Sequence, residues 1–117
     1  MTQSFSDQIA IATTYLENLG WKIITFSDKL PEGVYGRIYY VNKEIHLSDR
    51  IPSAEQALFT LLHEGGHALS YIKYYEVLGE KQPITEKREL YAYLYGWVLI
   101  KKLKIEISKE IWRKKNK

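Results

Sequence analysis

Ala57-Leu58-Phe59-Thr60-Leu61-Leu62-His63-Glu64-Gly65-Gly66-His67-Ala68-Leu69-Ser70 is an apolar run carrying two histidines four residues apart. On a helix, positions i and i+4 lie one above the other, so both imidazoles point the same way. That spacing lets a single metal ion accept a nitrogen from each. Glu64 lies about 100° further round the helix, within reach of a water on such an ion. The apolar setting predicts a buried helix that starts at Ser53 and runs to about Ile72. Ser53-Ala54-Glu55-Gln56 has the form of a capping box, with Gln56 at the third helical position. Leu58, Leu61, Leu62, Leu69 and Ile72 are expected to face the core, and Thr60, His63, Glu64 and His67 a cleft. Gly65 and Gly66 each cost about 1 kcal/mol in a helix relative to alanine. They are expected to clear space beside the metal for a strand or a substrate backbone.

His63, Glu64 and His67 form a His-Glu-x-x-His pattern, whose chemistry in zinc peptidases makes the glutamate a general base. The chain has no cysteine, which excludes disulfides and thiolate ligands. Nitrogen and oxygen ligands favour a catalytic over a structural zinc site, and such a site needs a third protein ligand. Beyond the helix the sequence offers Glu76, Glu80, Glu86 and Glu89. Glu89 is preferred and Glu86 is second. Both open an apolar segment, where an inward carboxylate needs a cation. Ala92 and Gly96 follow Glu89 on one helical face and would allow close approach to the first helix.

Working outward, Ser6 to Leu19 reads as a helix capped by Ser6, with Ile9, Ala12, Leu16 and Leu19 as its stripe and Gly20 as its stop. Residues 21–26 read as a strand, and residues 27–33 as a loop. Residues 34–40 and 44–47 form a hairpin turning at Val41-Asn42-Lys43, with Val34, Ile38 and Tyr40 on one face. The second hairpin strand is expected at the sheet edge near the site, where an extended peptide could pair with it. His46 lies on that strand. Residues 73–83 read as irregular. Thr85 is expected to cap a largely buried helix from Glu86 to about Leu103, followed by a short strand or helix. The elements make one α+β domain over residues 1–117, with a small, mainly antiparallel three-stranded sheet on three helices.

Hydrophobic residues make up 45% and charged residues 26%, an ordinary balance for a globular domain. The net charge of +3 is uneven: residues 101–117 carry +6 and the remainder −3. The basic tail, about residues 104–117, reads as a solvated end; nucleic-acid contact is the minority reading. No apolar stretch is long enough to span a membrane, and the N-terminus lacks the pattern of a secretory signal. A cytoplasmic location is expected.

Glu44-Ile45-His46-Leu47, the approach through Ser48 to Ala57, and the block from Phe59 to Leu69 together resemble the ImmA/IrrE family of zinc metallopeptidases. Glu89-Leu90-Tyr91-Ala92-Tyr93-Leu94-Tyr95-Gly96 is similar to that family's later block. The chain departs from the pattern at Gly65, commonly a larger apolar residue, and at Tyr93, usually Asn or Asp. The resemblance spans roughly residues 34 to 100. It implies a minimal zincin-like fold, one Zn2+ held by His63, His67 and Glu89, and Glu64 as catalytic base. It also implies a protein substrate, a transcriptional repressor of a phage, mobile element or stress response. His46, Tyr74 and Tyr75 are candidates for contacting the transition state. The competing expectation is a zinc-binding regulator of the same fold that acts by holding its partner.

Overall fold

The computed structural model describes residues 3–81 and 83–116. Its order is α1 (Phe5–Asn18), β1 (Lys22–Ser27), β2 (Gly36–Tyr39), β3 (Glu44–Ser48), α2 (Ala54–Tyr71), α3 (Thr85–Leu103) and α4 (Lys109–Lys115). This is the α+β architecture expected, with α4 as a fourth helix in the basic tail.

The cap of helix α1 lies two residues before the expected one. Ser4 takes that role, its hydroxyl accepting from the Asp7 amide at 3.0 Å. Ala12 and Leu16 are fully buried, Ile9 packs beside them, and Gly20 ends the helix at a φ of +97° that a side chain would resist.

The sheet order is β1-β3-β2, so the second hairpin strand is central and not at the edge. β2 and β3 pair antiparallel as the hairpin predicts, while β1 and β3 pair parallel. The sheet is therefore mixed. Burial explains the order: Ile45 to Ser48 are all buried, whereas β2 has no buried residue. A strand covered on both sides belongs between neighbours. The free edge beside the site is that of β2.

Helix α2 forms over the decisive stretch. Ser53 caps it, accepting from the Gln56 amide at 3.1 Å. The reciprocal half of the capping box does not form, because the Gln56 side chain donates to Thr60 Oγ1 instead. Leu58, Leu61 and Leu62 are fully buried, and Leu69 and Ile72 pack against the core. The helix continues as a π-helical turn over Ile72–Val77, where an irregular segment was expected. Gly79, at φ +69°, follows it.

Helix α3 packs directly on α2. A Cβ on Gly66 would collide with the carbonyl of Ala92, and would lie 2.8 Å from the Gly96 amide nitrogen. Gly65 faces Leu16 and Leu99 in the core. The paired glycines thus serve helix packing, which corrects the expectation that they open room for a strand or substrate. Thr85 is not the cap of α3; Ile84 holds that position, and Thr85 Oγ1 accepts from Arg88. Nor is α3 largely buried: Ala92, Gly96, Leu99 and Ile100 face inward, while Leu90, Leu94 and Val98 form an exposed row. Among the described residues, no helix is long and apolar enough to cross a membrane.

Candidate metal centre

Three elements converge on the outer face of α2. The face itself offers His63, Glu64 and His67, whose ligand atoms all lie within 4.8 Å of one another and could hold a metal ion. The imidazole rings of His63 and His67 stand edge to face with centroids 5.1 Å apart. From α3, Glu89 reaches across both: one carboxylate oxygen lies 3.0 Å from His63 Nε2, the other 3.3 Å from His67 Nε2. Glu86, the second choice for this role, stands exposed in the first turn of α3. Glu76 pairs with Lys43 at 2.9 Å, and Glu80 is exposed.

From the sheet, the start of β2 lies against α2 at Gly36. A Cβ there would collide with Thr60 and sit 3.2 Å from Glu64 Cγ. The edge strand is thereby pressed against the site at a glycine that no sequence periodicity marks.

Hydrogen bonding fixes the chemistry of His63. Asn116 donates from Nδ2 to the Trp112 carbonyl at 2.8 Å, so its Oδ1 is the atom turned to His63 Nδ1, 2.7 Å away. A carbonyl-type oxygen only accepts, and the proton must therefore sit on Nδ1. His63 Nε2 faces the Glu89 carboxylate at 3.0 Å, an approach that needs either a proton on Nε2 or a cation shared between the two.

Glu64 is 7% exposed. Burial pushes its carboxyl up to about 7; His63 and Arg37 oppose the rise and the Glu89 charge adds to it. His67 moves the other way, down to about 4, chiefly through burial and then the neighbouring His63.

Open space flanks Glu64 on two sides. A cleft of about 590 Å³ runs past Tyr35, Gly36, Phe59, His63, Glu64 and Lys115. A second, about 270 Å³, lies between β2 and the start of α3, beside Arg37, Tyr40, Glu64, His67 and Arg88. Tyr40 was not among the sequence candidates. Its hydroxyl is pushed up to about 12 by burial and then by the Glu64 charge. It stays protonated, a hydrogen-bond donor beside the carboxylate.

The other candidates lie elsewhere. His46 is buried on β3, its Nδ1 3.0 Å from Ser27 Oγ and its Nε2 3.0 Å from Glu44 Oε1. Tyr39 packs over its ring. Tyr74 stacks on Tyr91 and accepts from the Tyr95 hydroxyl at 3.3 Å, and Tyr75 stacks on Tyr71. Among the described residues, those lining the two cavities beside Glu64 include none of these three. Tyr74 and Tyr75 share with His67 only a crevice of about 10 Å³, too small for a peptide.

Comparison of the chain with family models, with curated proteins and with solved structures found no match.

Proposed function

We propose that this chain is a zinc-dependent metallopeptidase that cleaves a regulatory protein at a specific site, as its resemblance to the ImmA/IrrE family implies. The observation that carries the reading is that the Glu89 carboxylate reaches both histidines of α2, one oxygen 3.0 Å from His63 Nε2 and the other 3.3 Å from His67 Nε2. Two imidazoles and one carboxylate are a catalytic zinc donor set, and they fit it in ligand type and number. Bound there, zinc would supply Lewis acidity towards a carbonyl and an acidified water.

The protein's own groups account for the rest. Glu64 accepts the proton of the attacking water and passes it to the departing amine, from a carboxyl that lines both open clefts beside the histidines. Tyr40 donates a hydrogen bond to the oxygen on which negative charge develops. The free edge of β2 pairs with an extended substrate backbone, and side chains at Arg37 and Lys115 flank the bound segment.

The test is hydrolysis of candidate repressor proteins by purified protein, with and without a chelator, comparing wild type with Glu64→Gln and Glu89→Ala. Wild type should cleave only when metal is present. Glu64→Gln should retain the metal and lose about 10²- to 10⁴-fold in turnover. Glu89→Ala should lose the metal. Wild-type turnover in Glu64→Gln would remove the base assignment, and full metal affinity in Glu89→Ala would remove the third ligand.

A further inference from the structure

We infer that Asn116 is a positioning residue for the metal site, and that α4 fastens the C-terminal segment to the site to hold it there. The inference rests on the metal-site reading above and goes beyond it. α4 begins at a Ser108 cap, the hydroxyl accepting from the Ile111 amide at 3.2 Å. Trp112 anchors the helix. It is fully buried, stacks on Phe59 at 6.3 Å, and fills the notch left by Gly96, where any Cβ would strike its ring. Its indole N–H donates to the Tyr93 carbonyl of α3 at 2.9 Å. Lys115 lies over the Phe59 ring, 5.0 Å from its centroid. These contacts bring Asn116, one turn after Trp112, against His63 on α2.

The Asn116 amide is held at both ends. Its Nδ2 is committed to the Trp112 carbonyl, and its Oδ1 faces His63 Nδ1 at 2.7 Å. An acceptor on the far nitrogen of a ligand histidine fixes the tautomer and the ring plane, and raises the basicity of the nitrogen that binds. His67 is buried among its neighbours, but His63 is the more exposed of the pair and depends more on such a tether.

Zinc affinity of the full chain, measured by competition with a chromophoric chelator, tests this, alongside the visible absorption spectrum of the cobalt(II) form. Asn116→Ala should weaken zinc binding about 10- to 100-fold and alter the cobalt spectrum, with the fold retained by circular dichroism. Asn116→Asp keeps the acceptor and should remain within a few-fold of wild type. Wild-type affinity and spectrum in Asn116→Ala would overturn the inference while leaving the metal site standing. So would an equal loss in Asn116→Asp, because the acceptor would then not be the operative atom. Absence of zinc binding in wild type itself would instead remove the metal-site reading and this inference with it.

Discussion

At the residue scale, Glu64 and His67 carry opposite consequences for stability. Burial raises the folded-state pKa of Glu64 from 4.5 to about 7. Its contribution is therefore fully present below about pH 4.5 and lost as pH rises through 7. His67, lowered from 6.5 to about 4, contributes above 6.5 and loses that contribution as pH falls through 4. Metal-free Glu64→Gln should therefore be more stable than metal-free wild type at pH 8, by on the order of 2 kcal/mol, with the gap closing towards pH 4.5. Urea unfolding in chelator at both pH values measures it; a gap independent of pH would contradict the burial of Glu64. Tyr40→Phe removes only the hydroxyl. It should leave zinc affinity unchanged and lower kcat about 10²-fold, in the range seen for a lost oxyanion donor. Unchanged kcat would return that role to another group.

At the element scale, the crossing of α2 and α3 decides whether Glu89 meets the histidines. The two helices touch backbone to backbone where Gly66 meets Ala92 and Gly96. The added methyl of Gly66→Ala has rigid main chain in front of it and nowhere to turn. Despite the gain in helix propensity, this variant should lose about 1–3 kcal/mol. It should also bind zinc more weakly, because α3 must move away from α2. Thermal unfolding and chelator competition read the two effects; a stabilised variant would show that the crossing has slack. Gly65→Ala meets the ends of flexible leucines, at 2.8 Å from Leu99 Cδ1 and 3.1 Å from Leu16 Cδ1, and should cost less.

At the scale of the whole molecule, the proposed ligands come from two helices that only the folded chain holds together. An ion that binds them stabilises the native state by mass action. With free zinc at about 100 times its Kd, the gain is about 2.7 kcal/mol, roughly 10 °C in the unfolding midpoint for a domain of this size. Calorimetry with and without chelator should show that shift in wild type and none in His63→Ala. An equal shift in both would mean that zinc binds elsewhere.

Much of this protein was legible in its sequence because the signals are local. Helical periodicity alone places His63, Glu64 and His67 on one face of α2, with Leu58, Leu61 and Leu62 on the other. The hairpin and Glu89 also follow from short-range pattern, the latter from small residues at i+3 and i+7 on a helix that must come close. What the sequence could not supply was long-range partnership. The insertion of β3 between β1 and β2 depends on how much of each strand the helices cover. That Tyr40 lines the cavity beside Glu64, and His46, Tyr74 and Tyr75 do not, depends on where the hairpin end meets α2. Asn116 lies 53 residues from the histidine it faces, and no spacing rule links them. Backbone periodicity determines which way a side chain points from its own element, whereas only packing determines what stands opposite it.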